Sequence, residues 1–254
     1  MDPERTGLSL VVPAYNESSR IRASLGTMVS CLTSRFASFE VIVVDDGSTD
    51  DTADQVDSFG DSRVRCLRND RNYGKGGSVR RGVLAANEDI ILFSDADLST
   101  PIEELDLLLA LMADGYDVVI ASRWLHRNQD VQRSAFRKFQ GRVFAWIVNT
   151  LVVSGLRATQ CGFKMFRRQA ALDLFGAQRI SGWGFDVELL FLARKWGLRV
   201  GQVPVRWYKS GESKLQFTTP LSMLQDLFMI RWNNLLGRYP REAGGTRGRP
   251  GEGG

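Results

Sequence analysis

Short apolar runs alternate with stretches of helical spacing through the first half of the chain. LSLVVPAY (8–15) reads as a buried strand. The segment through Ser34 carries Ile21, Leu25, Met28 and Leu32, the spacing of a helix with one apolar face. FEVIVVDDG (39–47) is a second strand, and it ends in acids. TDDTADQVDSF (49–59) opens a helix with a Thr/Asp cap signal. VRCLRN (64–69) is a third strand, and KGGSVRRGVLAAN (75–87) a helix that begins on glycines. DIILFSDAD (89–97) is a fourth strand, and PIEELDLLLALMADG (101–115) a helix with proline in its first turn. DVVIASR (117–123) is a fifth strand. Strands alternating with helices of this length predict βαβ units, hence an α/β fold with a mostly parallel central sheet flanked by helices.

The pattern changes in the second half. Residues 133–153 carry Phe136, Phe139, Val143, Phe144, Ile147 and Leu151, interrupted by Arg137, Lys138, Gln140 and Arg142. That is an amphipathic helix with a basic polar side. TQCGFKMFRR (159–168) resembles a short strand, FDVELLFLARKWG (185–197) a helix, and VGQVPVRWYKS (200–210) an extended run. Residues 220–237 form another apolar-rich helix, with Arg231 and Trp232 in it. The tail from Arg241 is rich in glycine and arginine and reads as disordered, without a function. No internal repeat is present. The expected organisation is a single domain over 1–240, with a first half at about 8–123, a second at about 124–237, and the tail at 241–254.

Composition narrows the class. At 254 residues with 43% apolar side chains, the chain can bury a substantial core. A formal charge of +4 permits an anionic ligand or an anionic membrane surface, and by itself it does not indicate nucleic acid. Cys31, Cys66 and Cys161 follow no metal-ligand spacing and read as reduced thiols of a cytosolic protein, in keeping with the lack of a signal peptide. The longest uncharged run, VFAWIVNTLVVSGL (143–156), falls short of the roughly 18 residues that span a bilayer. His126 sits in the polar loop LHRNQD and reads as a surface residue.

In parallel sheets, ligands bind beyond the carboxyl ends of the strands, and that is where this chain places its acids. Asp95 and Asp97 flank one residue at the end of the fourth strand. Two carboxylates that close repel unless a cation lies between them, and a hard divalent ion takes carboxylate and phosphate oxygens together. A metal site that binds a diphosphate is one reading, and an acidic turn capping the helix at Pro101 is the other. The second strand ends in Asp45 and Asp46, whose carboxylates suit base N–H groups or ribose hydroxyls. The first ends in Pro13, Tyr15, Asn16 and Glu17. Turn chemistry alone could account for either.

The order VVPAYNE, VVDDGSTDDT, NYGKGGSVRRG, SDADLSTP and SRW resembles the nucleotide-sugar domain of glycosyltransferase family 2, with its GT-A fold. TQCGFKMF, GFDVELL and GESKL in the second half resemble the polyprenyl-phosphate hexosyltransferases, the dolichyl-phosphate glucosyltransferase branch in particular; related enzymes use mannose. The likeness covers roughly residues 8–236. It implies an inverting, metal-dependent enzyme that moves a hexose from a nucleoside-diphosphate sugar to polyprenyl or dolichyl phosphate. UDP-glucose is the favoured donor and GDP-mannose the alternative, with Mg²⁺ or Mn²⁺ as cofactor.

By the same resemblance, Pro13, Tyr15 and Glu17 contact the nucleotide, Asp45 or Asp46 recognises the base, and Asp95 and Asp97 bind metal and ribose. Gly74, Lys75, Gly76 and Gly77 close over the nucleotide, with Lys75 offering charge to a phosphate. A Gly-rich helix start is the plainer account of that segment. Several relatives carry Gln two residues past the second aspartate; this chain has Ser99, a weaker ligand. Asp186 and Glu188 stand where hydroxyl-transferring relatives keep a base; with a phosphate acceptor, Asp186 would orient groups instead.

A phosphate monoester is already anionic, so the acceptor side needs cations in place of a base. Arg123, Arg133, Arg137, Lys209 and Lys214 are the candidates, Arg123 and Lys214 foremost because the family pattern falls on them. Residues 133–153 and 220–237 could lie at a membrane interface with basic residues near anionic headgroups. Covering the sheet, meeting a membrane-protein partner or pairing with a second copy are the alternatives. The expected location is peripheral, at the cytoplasmic membrane face. Two rival functions stay open: a family 2 transferase with a soluble hydroxyl acceptor, and a non-catalytic nucleotide-sugar-binding scaffold subunit.

Overall fold

The structure is a computed structural model in which residues 6–122, 161–208 and 219–240 are described. In chain order the elements are β1 (Leu8–Ala14), α1 (Ile21–Thr33), β2 (Phe39–Asp45), α2 (Thr52–Asp57), β3 (Val64–Arg68), α3 (Lys75–Leu84), β4 (Ile90–Ser94), a 3₁₀ turn (Ile102–Glu104), α4 (Leu105–Ala113) and β5 (Val118–Ser122). They continue with β6 (Phe163–Arg167), α5 (Arg168–Ala177), α6 (Phe185–Lys195), β7 (Val200–Pro204) and α7 (Thr219–Leu235). The helix expected at 133–153 and the tail from Arg241 lie outside the described residues.

Among the described residues, seven strands make one sheet in the order β3-β2-β1-β4-β6-β5-β7. All pairings are parallel except the two made by β6, which runs antiparallel to β4 and to β5. The mostly parallel sheet expected from the pattern is present, with this one reversed strand inside it.

Helices cover both faces, which is why the central strands are apolar at nearly every position instead of at every second one. Successive residues of β1 divide between the two cores. Leu8, Leu10 and Val12 pack with Ile21, Leu25, Met28 and Leu32 of α1 and with Leu105, Leu108 and Met112 of α4. Val11 points the other way, toward Val79 and Val83 of α3, Leu174 and Phe175 of α5, and Leu189 and Leu190 of α6. Fully burying a side chain such as Phe93 contributes about 1.5–3 kcal/mol, so the two slabs hold the strand ends firmly in register.

Two elements depart from the pattern. PIEELDLLLALMADG begins with a 3₁₀ turn before α4 takes over. The chain also turns straight from β6 into α5 at Arg168, a helix the patterning did not mark. It buries Ala170, Ala171, Leu174 and Phe175.

The topology sets the site. From β1 the chain winds outward through β2 to β3, then returns to place β4 on the other side of β1. The strand order therefore reverses between β1 and β4, and a crevice opens beyond their carboxyl ends.

Candidate active site at the β1–β4 switch point

Asp95 follows β4 directly and lies at this crevice. Its amide donates to the Gly162 carbonyl at 3.0 Å. Its carboxylate packs on the Gly162 backbone so closely that a Cβ there would fall 1.9 Å from Oδ2. Gly162 reaches the rim because β6 is antiparallel, which sets Phe163, its first residue, opposite Ser94. Asp97 is half-buried two residues on, in a turn after which Leu98 takes φ +50. The Ser99 amide donates to Asp97 Oδ1 at 2.9 Å. Asp97 thus stands in the turn that follows β4, two residues beyond Asp95. Ser99 is buried and supports Asp97 through its backbone.

Lys75, the first residue of α3, brings its Nζ to 2.5 Å from Asp95 Oδ1. The same ammonium lies 5.2 Å from the centre of the exposed Trp183 ring. Burial disfavours this charge, but Asp95 and then Asp186 outweigh it and raise the Lys75 pKa. Asp186 opens α6 and pairs its Oδ1 with Lys164 Nζ at 2.8 Å, both side chains being nearly inaccessible. Burial pushes the Asp186 carboxyl up, opposed by Lys164 and then by Lys75.

The acids after β2 divide their work. Asp46 accepts from Asn69 Nδ2 at 2.7 Å, from the Tyr73 amide at 2.9 Å and from the Gly74 amide at 2.9 Å. It thereby ties the 69–74 loop to the sheet. Gly74 takes φ +84 there, a conformation that favours glycine. Asp45 accepts from the Ser48 amide through Oδ2 at 3.3 Å, while its buried Oδ1 has no hydrogen-bond partner among the described residues. A buried carboxylate oxygen left open is costly and suits a ligand N–H.

After β1, Pro13 is half-buried and Tyr15 is exposed. Asn16, at φ +53, accepts from the Thr49 amide at 2.9 Å and so links the β1 and β2 turns. Glu17 pairs with Arg20 at 2.9 Å, and its amide donates to Thr52 Oγ1 at 2.8 Å. Glu188 faces away from the crevice: fully buried, it accepts from the Arg179 and Ile180 amides and, at 2.5 Å, from Tyr239 Oη. Its task is to hold the chain between α5 and α6 and the C-terminal turn.

The rim thus gathers Asp95, Asp97, Lys75 and Asp186, with Asp45 and Tyr15 at the neighbouring strand ends. Arg123, Arg133, Arg137, Lys209 and Lys214 lie outside the described residues. Lys164 went unnoticed in the patterning. Its signal was a lysine in the middle of the apolar strand FKMFR, where a core must answer a charge with an opposite one.

Among the described residues, no cluster of three or more histidine, cysteine or acidic side chains is gathered for a metal. Asp95 and Asp97 supply carboxylate oxygens only. That donor set suits a hard cation completing its shell from phosphate oxygens. No helix among the described residues is long and apolar enough to cross a membrane.

A family model described as Glycosyl transferase family 2 matches residues 9–175. The chain is 35% identical over 252 residues to a dolichyl-phosphate beta-glucosyltransferase of Homo sapiens, covering 92% of this chain and 78% of that protein. It is 36% identical over 246 residues to the enzyme of that name from Dictyostelium discoideum, covering 91% and 75%. Among solved structures, it superposes on glucosyl-3-phosphoglycerate synthase of Mycobacterium tuberculosis in complex with Mn²⁺, UDP-glucose and phosphoglyceric acid. The TM-score is 0.66 at 21% identity, with 92% of this chain and 80% of that one covered. Mannosyl-3-phosphoglycerate synthase of Rubrobacter xylanophilus gives a TM-score of 0.67 at 18% identity, covering 96% and 79%. These superpositions establish the GT-A fold.

Proposed function

Because the chain belongs to glycosyltransferase family 2, we propose that it moves glucose from UDP-glucose to the phosphate of a polyprenyl or dolichyl carrier, inverting the anomeric centre. The observation that carries this reading is the placement of Asp95, Asp97 and Lys75 on one rim at the switch point of the sheet. The relatives' names support glucose and dolichyl phosphate, and the UDP-glucose and Mn²⁺ held by the M. tuberculosis structure support the donor and the cation.

The roles follow from the chemistry at hand. Asp45 offers its open oxygen to the N–H edge of the base, beside Pro13 and Tyr15. Asp46 and Glu17 act on the nucleotide through the loops they brace. Asp95 and Asp97 would hold Mg²⁺ or Mn²⁺, which when bound neutralises the diphosphate as a Lewis acid. Lys75 adds a second positive charge to the same diphosphate. An oxygen of the carrier phosphate forms the new bond to the anomeric carbon, and the bond from that carbon to the UDP oxygen breaks. The electron pair leaves with UDP. The attacking oxygen is already anionic, so no base has to remove a proton. Asp186 orients the acceptor side, and Arg123, Arg133, Arg137, Lys209 and Lys214 are assigned to the carrier phosphate. The division into a nucleotide-sugar half at about 8–123 and an acceptor half at about 124–237 belongs to this reading.

The lipid tail calls for an apolar surface. On α7, Phe228, Met229, Trp232 and Leu235 are exposed along one side, and Leu236 continues the stripe just beyond the helix. Arg231 and Arg238 are exposed beside it. This supports peripheral attachment at the cytoplasmic membrane face. Flotation with vesicles tests it: binding to phosphatidylglycerol vesicles should fall when Trp232 and Leu235 are both replaced by Ser, and unchanged binding would remove the assignment.

A donor panel decides the function. Labelled UDP-glucose and GDP-mannose are each incubated with one polyprenyl phosphate and Mn²⁺. The expected product is a lipid-extractable glucose phosphate that mild acid releases. Mannose transfer alone would change the sugar, transfer only to a soluble hydroxyl compound would change the acceptor class, and absence of any UDP release would leave a binding subunit.

A further inference from the structure

We propose that Lys164 is a positioning residue of the donor site: by pairing with Asp186 it leaves the ammonium of Lys75 directed at Asp95 and the donor diphosphate. The inference rests on the reading of Lys75 as a diphosphate contact and goes beyond it by explaining what aims that charge.

Lys164 sits in the middle of β6, between Phe93 of β4 and Ile120 of β5 in register. Its side chain is 1% exposed. An ammonium buried there without a partner would cost several kcal/mol. It is held by Asp186 Oδ1 at 2.8 Å, donates to the Cys161 carbonyl at 2.5 Å and lies 5.2 Å from the Phe93 ring centre. The Cys161 carbonyl immediately precedes Gly162, on which Asp95 rests. One ammonium thus fixes both Asp186 and the start of the strand that supports Asp95.

The first turns of α3 and α6 meet at Gly76 and Phe185, so closely that a Cβ on Gly76 would fall 2.7 Å from Phe185 Cβ. Lys75 and Asp186 are the immediate neighbours of this contact. Among the described residues, the charged groups that act on Asp186 are Lys164 from β6, Lys75 from α3 and Asp95 from the end of β4; Cys161 adds to the field at Lys75. Signs therefore alternate through Asp95, Lys75, Asp186 and Lys164. Lys75 has two carboxylates within its field, and with Lys164 on Asp186 it takes Asp95, at 2.5 Å. Without Lys164, the buried carboxylate of Asp186 would have Lys75 as its remaining cation among the described residues and would draw it away from the donor.

The test uses the full chain with Lys164→Met, Asp186→Asn and the two combined, with Lys75→Met as the reference for a lost diphosphate contact. Melting temperature is measured first. UDP-glucose affinity is then measured by calorimetry at a temperature well below every melting point. Each single change should lower the melting temperature, and the pair should recover most of it, because no buried charge is then left alone. Lys164→Met should weaken UDP-glucose binding about tenfold or more. The double variant should regain that affinity, since Lys75 is free again, while transfer to polyprenyl phosphate stays low for want of Asp186. A purely structural Lys164 predicts unchanged affinity in Lys164→Met, and that result overturns the proposal. Should Lys164→Met not fold, the double variant decides: affinity near that of the natural chain supports the proposal, and affinity weakened as in Lys75→Met overturns it. If the natural chain itself fails to bind UDP-glucose, the donor assignment and the aiming role fall together, and the melting temperatures still show whether Lys164 and Asp186 are coupled.

Discussion

The Asp95 amide donates to the Gly162 carbonyl at 3.0 Å, and the Asp95 carboxylate occupies the space that a Cβ on Gly162 would need. The acid proposed to hold the metal is thus seated beside β6, the antiparallel strand among those described. Replacing Gly162 by Ala would place a methyl group 1.9 Å from Oδ2. The carboxylate is 35% exposed and can swing aside, so the fold should survive. The expected outcome is a loss of transfer of about 100-fold, the scale of an ångström-sized misplacement. Melting should change little. Steady-state rates and calorimetry on the same preparation check both.

Asp97 carries a second prediction. In Asp97→Asn the side-chain oxygen can still accept from the Ser99 amide, as Oδ1 does at 2.9 Å. The turn should therefore hold while the anionic ligand is lost. Transfer should fall by about a thousandfold, equivalent to about 4 kcal/mol. Removing the divalent ion with EDTA should produce a similar loss in the natural chain. Near-normal turnover of the variant in EDTA would end the metal assignment.

The neighbours Asp45 and Asp46 should separate cleanly under mutation. Asp46→Ala strips the acceptor from Asn69, Tyr73 and Gly74, so stability should drop by about 2–4 kcal/mol. Asp45→Asn keeps an acceptor for Ser48 and should leave melting nearly unchanged. Uridine nucleotide affinity should fall about tenfold, because an amide in place of the open oxygen can oppose the base N–H. Denaturant unfolding and UDP calorimetry on the two variants would distinguish them, and a reversed pattern would exchange their roles.

Asp50 predicts an acid response. Burial raises its carboxyl, but hydrogen bonds from the hydroxyls and amides of Thr52 and Ser18 outweigh this and hold it at about 2. The folded value lies below the ordinary carboxylate value. The stabilisation is therefore present above about pH 4 and is lost as pH falls toward about 2. After allowance for solvent screening it is roughly 1 kcal/mol. Asp50→Asn should flatten the decline in melting temperature across that window, and an unchanged slope would contradict the assignment.

Much of this molecule is legible in the order of its residues. The apolar runs before Tyr15, Asp46 and Asp95 mark buried strands, and the spacing of Ile21, Leu25, Met28 and Leu32 marks the covered face of α1, because period and polarity are local properties. The acids at strand ends announce a ligand rim by the same local logic. Placing β6 in reverse between β4 and β5 depends instead on contacts between segments far apart in the chain. So does the difference between Asp45 and Asp46: adjacent and chemically alike, they part only when a loop from residues 69–74 closes on one of them. The helix α5 escaped notice because no glycine or proline separates it from β6, and its apolar face acquires meaning only against the sheet. Lys164 is the sharpest case. Its sequence neighbours are apolar, and its partner arrives from another helix, so only the folded chain could bring the two charges close enough to pair out of water's reach.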